Sequence, residues 1–341
     1  MRDIVDFTRQ LATMVKARLS LTQILEILAK QQSNTRFQCI IQNILRQVES
    51  GKPLSDSLKA YPKLFGPLYV NILTVGEVSG KMDEVLDQLA TYLEKMNGLK
   101  RKITTAMTYP IVIILVAIGA VSFLVFGVMP TFSDMFEDFN AQMPLPAKIL
   151  MEISNFMASN WLIIIVCLII MIGLFRVYGR TPKGRWGLDK IKLKLPIVGK
   201  VIQKAILARF TGTLGTLLSS GVSLLDALEV TAKSSGNLII QKQILNMKET
   251  AAKGEPMEKS LTDPKLFPEL VTQMIAVGEE TAELPYMLVK ISEYYENEVD
   301  TAVESLTSII EPIIIVVLGI ILGGTMIAIY LQIFDLMEVI Q

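Results

Sequence analysis

Residues 51–77 read GKPLSDSLKAYPKLFGPLYVNILTVGE, and residues 254–279 read GEPMEKSLTDPKLFPELVTQMIAVGE. The same stretch stands twice in one chain. Gly51, Pro53, Ser57 and Leu58 match Gly254, Pro256, Ser260 and Leu261 at an offset of 203. After a one-residue deletion, Pro62 to Phe65 match Pro264 to Phe267, and Val75, Gly76 and Glu77 match Val277, Gly278 and Glu279. Upstream, Phe7, Thr8, Leu11, Thr13, Ser20 and Leu21 reappear as Phe210, Thr211, Leu214, Thr216, Ser223 and Leu224. Self-similarity at one period predicts one structural unit built twice.

With 51% of its 341 residues hydrophobic and a mean hydropathy of +0.46, the chain is too apolar for an ordinary soluble protein. A formal net charge of zero gives no bulk attraction to nucleic acid. There is no histidine, which removes His-based triads, His metal sites and a histidine pH switch together. The first ten residues, MRDIVDFTRQ, are charged and lack the apolar core of a cleavable signal peptide.

Local patterns read as helix throughout. Leu11, Met14, Val15, Ile24, Leu25 and Leu28 recur at helical spacing, and Ser20 with Gln23 fits a capping box that splits the segment into two helices. Gly221 ends a helix in the second copy, with Ser223 and Asp226 opening the next. Arg18 stands where the second copy has Gly221, which predicts a differently shaped first joint. Pro53, Pro256, Pro67 and Pro268 each stand where proline opens a helix. No segment shows strand alternation with hairpin turns.

Three apolar runs follow a different rule. Ile111–Met129 and Ile313–Leu331 hold 19 residues each without a charge, and Trp161–Phe175 holds 15. Nineteen residues make about 28 Å of helix, the thickness of a bilayer's hydrocarbon core. Pro110 and Pro312 precede the first and third runs at equivalent positions. Of the 33 Lys and Arg residues, 15 lie in 1–110, one (Lys148) in 130–160 and 17 in 176–311. Three spans therefore put 32 on one side, which the positive-inside rule makes the cytoplasm. Asp134, Glu137, Asp138, Glu152, Asp335 and Glu338 fall on the other side, and Cys39 and Cys167 cannot meet. The basic run from Arg176 to Lys194 reads either as this topology signal or as a contact for anionic lipid or a partner.

The expected fold class is thus all-α and polytopic. Duplicated cytoplasmic helical bundles cover 1–108 and 178–310, and transmembrane helices cover 109–131, 157–177 and 311–332. A periplasmic loop covers 132–156 and a periplasmic tail 333–341.

Catalytic chemistry is sparse. Gly76 to Met82 resembles a phosphate loop, but it has three residues between the glycines where four are needed. Met82 also occupies the place of the magnesium-holding hydroxyl, and the second copy has Ala282-Glu283-Leu284 there. Asp83, Glu84 and Asp87 have no matching partners in the second copy and read as a solvated helix face. The three apolar runs hold no charged residue, which argues against transport. No cofactor is expected. Gly319 and Gly323 form a Gly-xxx-Gly face that lets helices approach closely, or reflect the general abundance of glycine in membrane helices. Two readings fit Glu77 and Glu279. In one, Gly76 and Gly278 turn the chain and each glutamate sits at the start of the following helix, against its positive dipole end. In the other, both glutamates face a partner.

The chain resembles the bacterial type II secretion F family, the inner-membrane platform proteins of type IV pilus and type II secretion machines. The resemblance spans nearly the whole chain. It rests on F-T-x-x-L at Phe7 and Phe210, G-x-P-x-x-x-S-L at Gly51 and Gly254, and V-G-E at Val75 and Val277. Tyr109-Pro110, Met129-Pro130-Thr131-Phe132 and Met143-Pro144-Leu145-Pro146 also carry it, and Glu298 to Gly324 looks more like the pilus branch. It implies a non-catalytic assembly platform in the inner membrane, with cytoplasmic N-terminus and periplasmic C-terminus. It also implies a homo-oligomer in contact with membrane lipid, a hexameric assembly ATPase, pilins or pseudopilins and other inner-membrane assembly proteins. The alternatives are the equivalent platform of a secretion system and a passive membrane anchor for a cytoplasmic protein. Many relatives carry a further N-terminal segment of tens of residues, whereas this sequence starts at the first repeat.

Overall fold

The computed structural model describes residues 2–123, 127, 145–195 and 198–340. Among them every regular element is helical. Six helices run through the first repeat: α1 (Arg2–Lys16), α2 (Leu21–Gln31), α3 (Thr35–Glu49), α4 (Leu54–Lys59), α5 (Pro67–Ser79) and α6 (Met82–Phe123). Then come α7 (Leu145–Tyr178) and α8 (Pro182–Lys194). The second repeat continues with α9 (Val198–Ser219), α10 (Leu224–Ser234) and α11 (Leu238–Ala252). A 3₁₀ turn (Met257–Ser260), α12 (Glu269–Glu280) and α13 (Leu284–Ile340) complete it. The expected loop 132–156 is helical from Leu145, and its acidic residues Asp134, Glu137 and Asp138, with Met129–Phe132 and Met143-Pro144, lie outside the described residues.

The chain divides into two compact units. One comprises Met1–Lys102 and Trp186–Ala302, so both helical repeats share it. The other comprises Ile103–Arg185 and Val303–Gln341 and holds the apolar runs.

In the first unit, the repeated motifs are core and backbone geometry. Phe7, Thr8 and Leu11 are buried, as are Phe210, Thr211 and Leu214. Each threonine turns its hydroxyl back onto its own helix, Thr8 to the Ile4 carbonyl (2.7 Å) and Thr211 to that of Leu207 (2.9 Å). Phe7 packs edge-on to Phe37 with centroids 5.7 Å apart, and Phe210 packs likewise on Phe267 at 5.7 Å. Burying one such ring contributes about 1.5–3 kcal/mol. The capping box closes as expected, with Gln23 N donating to Ser20 Oγ at 3.3 Å and Ser20 N to Gln23 Oε1 at 3.4 Å. Gly51 and Gly254 hold φ of 89° and 75° and end α3 and α11 in the left-handed conformation that glycine tolerates.

The first joint is a correction. Arg18 takes φ 61° where Gly221 takes 85°, and both joints make the same bonds. Leu19 N reaches Met14 O at 3.2 Å as Val222 N reaches Leu217 O at 3.0 Å. The loop shape is dictated by these bonds, so arginine adopts the glycine conformation rather than reshaping it. Pro53 opens the α-helix α4, but Pro256 opens only the 3₁₀ turn.

In the second unit, the apolar stretch after Pro110 leaves Ile111, Leu115, Val116 and Ile118 exposed, and the stretch after Pro312 leaves Ile313, Val316, Ile320 and Ile327 exposed. Both α6 and the Leu284–Gly324 part of α13 are long and apolar enough to cross a membrane. A helix apolar all round yet uncovered by protein is what lipid covers. Helix α7 bends at Asn160, which leaves helical geometry at φ −113° and whose Nδ2 donates to Phe156 O at 2.9 Å.

Candidate functional site

The two glutamates of the V-G-E signals are the side chains that tie the duplicated motifs together. Glu77 lies in the last turn of α5, and the helix runs on through it to Ser79. Its carboxylate reaches back to the opening of α4. Leu54 N donates to Oε1 at 2.5 Å, Ser55 N donates to Oε2 at 3.2 Å, and Ser55 Oγ donates to Oε2. Proline at the N-cap supplies no side-chain cap, so the first N–H groups of α4 need an acceptor from elsewhere. Glu77 is that acceptor, and its charge meets the positive end of a helix dipole. Glu279 Oε2 likewise accepts from Met257 N at 2.9 Å, at the opening of the 3₁₀ turn. In place of Ser55 the second copy has Glu258, which offers no hydroxyl to donate.

Two expectations are corrected here. Each glutamate caps the helix that precedes its own, not the one that follows. Gly76 and Gly278 do not turn the chain. They sit inside α5 and α12, where a Cβ on Gly76 would overlap Val85 Cγ2 and one on Gly278 would stand 2.9 Å from Leu284 Cα. Glycine is there so that the next helix can lie against this one. The chain turns later, at Gly80 (φ 70°) and at its counterpart Ala282 (φ 57°).

The phosphate-loop resemblance dissolves on the same geometry. Gly80 N and Lys81 N are both spent on the Gly76 carbonyl, so neither is free to hold a phosphate. Lys81 Nζ points to Glu84 at 3.4 Å. No group of three or more His, Cys, Asp or Glu side chains able to hold a metal ion occurs among the described residues.

Asp83, Glu84 and Asp87 all stand exposed, as a solvated helix face requires, and Asp87 also belongs to a fork that local spacing does not announce. Arg9 Nη1 donates to Asp87 Oδ1 at 2.6 Å, while Nε and Nη2 each donate to a Glu94 oxygen at 2.7 Å. Nη2 also donates to Thr91 Oγ1 at 3.0 Å. The bond from Arg9 holds the Glu94 carboxyl below its usual range, and Glu94 in turn raises the guanidinium pKa. The residues lie 78 and 85 positions apart, so no local pattern announces them. Across the repeats, Tyr92 and Thr213 hydroxyls bond at 2.7 Å in a buried position, and Ser220 Oγ donates to Gln88 Oε1 at 2.7 Å. Burial pushes the Tyr92 phenol pKa up. Every one of these polar groups positions a helix.

Pro110 is buried within α6, and Pro312 is exposed within α13; neither ends its helix. Beside them Tyr109 OH donates to Glu311 Oε1 at 3.4 Å. Nothing described lies within 4 Å of a Cβ at Gly319 or Gly323, so among the described residues their face is open.

The family described as "Type II secretion system (T2SS), protein F" matches residues 7–130 and again residues 210–332. A type IV pilus assembly protein PilC of Myxococcus xanthus is 43% identical over 340 residues, covering 100% of this chain and 82% of that protein. The PilC of Pseudomonas aeruginosa is 38% identical over 339 residues, covering 99% of this chain and 91% of that protein. A type II secretion system protein F of Vibrio cholerae is 32% identical over 317 residues, covering 93% of this chain and 78% of that protein.

Proposed function

This chain belongs to the type II secretion system protein F family, and from that premise we propose that it is a non-catalytic inner-membrane platform for type IV pilus assembly. The observation that carries this is full-length identity of 37–43% to proteins named for type IV pilus assembly, against 32% to secretion-system F proteins. The platform crosses the membrane three times, at 109–131, 157–177 and 311–332. Its duplicated helical domains, 1–108 and 178–310, face the cytoplasm, and the loop 132–156 and tail 333–341 face the periplasm. Support comes from the asymmetry of Lys and Arg along the chain.

In the cytoplasm the platform meets a hexameric assembly ATPase. In the membrane it meets pilins or pseudopilins, other assembly proteins, lipid and further copies of itself. It passes ATPase motion to subunits entering the fibre and needs neither cofactor nor nucleic acid. Glu77 and Glu279 serve it as internal clasps that keep the bundles rigid enough to transmit a push.

Removing the gene tests this. Surface fibres should vanish and return with the wild-type copy, while export of folded proteins continues. Fibres that persist, with export lost, would assign the chain to a secretion system instead. Reporter fusions near Asp138 and at the C-terminus should report periplasm, and fusions within 1–105 and 180–305 cytoplasm.

A further inference from the structure

The two repeats touch through unlike surfaces. The α5–α6 side of the first repeat lies on the α9–α10 side of the second. Tyr92 bonds Thr213, Gln88 accepts from Ser220, and a Cβ on Gly221 would stand 3.7 Å from Val75 Cγ1. In a pair of equivalent units, such a contact uses one surface of each and leaves the two counterparts unused. The counterparts here are open. Leu68 is 9% exposed, but its equivalent Leu270 on α12 is 41% exposed. Tyr92 is 9% exposed, and its equivalent Tyr294 on α13 is 47%. On the other side Val222 is 8% exposed, and its equivalent Leu19, at the α1–α2 joint, is 42%.

We infer that these two open surfaces dock on each other between copies of this chain, α12–α13 of one copy on the α1–α2 joint of the next. The intrachain contact is the template. Val277 would take the place of Val75 beside Arg18, and Tyr294 that of Tyr92 beside Gln10. Charge complementarity supports the same pairing. Glu280 and Glu283 stand exposed at the end of α12, Lys16 and Arg18 stand exposed at the joint, and none of the four has an ion-pair partner among the described residues. Opposite charges on facing rims set orientation and suppress the reversed pairing. Leu270 and Tyr294 on one surface and Leu19 on the other, at positions that are buried elsewhere in the same molecule, mark two surfaces made to be covered. This deepens the homo-oligomer part of the function proposed above and rests on it, and the two are tested by different readouts.

The test is thiol crosslinking of the full chain in membranes, with Cys39→Ser and Cys167→Ser removing both free, exposed thiols. Two differently tagged copies are co-expressed, one carrying Arg18→Cys and the other Val277→Cys. A crosslinked species bearing both tags is expected, with none from either variant alone, and Leu270→Asp on the second copy should abolish it. Gln88→Cys with Ser220→Cys in one chain should crosslink within that chain and so verifies that the first unit is folded. An intrachain link without the mixed-tag species would overturn the inference, as would Arg18→Cys linking to itself or failure of the intrachain link. Loss or persistence of fibres on gene removal bears on the platform alone. Mixed-tag linking that is normal in cells lacking fibres for another reason supports the interface independently.

Discussion

The two repeats reach one backbone by different side-chain means. In the first, a half-buried Glu77 accepts three donors at the opening of α4; in the second, an exposed Glu279 accepts one at the 3₁₀ turn. Phe7 sits among Phe37, Phe65 and, through Phe65, Tyr69, while Ile240 and Val271 stand at the second-repeat equivalents of Phe37 and Tyr69. Helix α1 is pinned to α6 by the Arg9 fork. Helix α9 instead lies so close to α13 that a Cβ on Gly212 would stand 2.7 Å from Ser292 Oγ. What both copies keep is the left-handed caps, the close helix contact at glycine and a carboxylate on an otherwise uncapped helix start. Backbone geometry is the shared requirement, and each copy meets it with the chemistry at hand.

The largest expected difference lies in the clasps. Hydrogen bonds to a charged group contribute about 1.5–3 kcal/mol, and a stranded buried donor costs its desolvation as well. Glu77→Ala leaves buried Ser55 with neither partner and should cost about 2–3 kcal/mol. Glu279→Ala, in the open, should cost about 1 kcal/mol or less. Urea midpoints followed by circular dichroism measure both, and equal shifts would break the comparison.

Next come the glycines, where the copies should agree. Gly76→Ala and Gly278→Ala replace glycine by the better helix former, worth about 1 kcal/mol, yet overpacking of about 1–3 kcal/mol should leave both variants net destabilised. A rise in midpoint for either would show that its helix contact is looser than the geometry here.

Smaller still are gains at the left-handed positions that lack glycine. A non-glycine residue there costs about 1–2 kcal/mol, partly offset by the entropy of a new glycine. Arg18→Gly and Ala282→Gly should each stabilise by about 0.5–1 kcal/mol. Gly221→Ala should lose a similar amount, and a loss at Arg18→Gly would mean the side chain is needed within the monomer.

The smallest effect is in acid. Arg9 holds the Glu94 carboxyl low, and bonds from Lys233 and then Lys248 lower Glu229 to about 2. Both carboxyls are more acidic folded than unfolded. Their contribution is therefore present above the unfolded value of 4.5 and is lost as pH falls toward 2. Arg9→Gln should flatten the part of this acid loss that belongs to the first repeat and leave the Glu229 part. Denaturant midpoints between pH 5 and pH 2 measure it, and an unchanged slope would show that the fork adds nothing to stability.

Local features were legible in the sequence. The Ser20–Gln23 box, the Ser223 cap and the Gly221 stop depend on residues within a turn of each other, so spacing alone reveals them. The apolar runs after Pro110 and Pro312 were legible because a membrane-crossing helix needs a composition that core helices rarely reach. The clasp was not. Val-Gly-Glu is visible as a repeat, but its acceptor role joins residues 22 apart, and its glycine, which in sequence suggests a turn, serves a helix contact. Arg9 and buried Asp189, which accepts from Leu238 N at 3.1 Å, work at separations of 78–85 and 49 residues and leave no periodic trace.

On the function proposed above, this platform works through the rigidity of its bundles, with the paired glutamates as structural clasps and not as partner contacts. The direct measurement is to count surface fibres in cells carrying Glu77→Gln or Glu279→Gln against the amount and urea midpoint of the membrane-bound protein. Fibre number should follow folded protein in both variants, with Glu77→Gln the more affected. Wild-type abundance and midpoint with fibres absent, in either variant, would instead make that glutamate a partner contact.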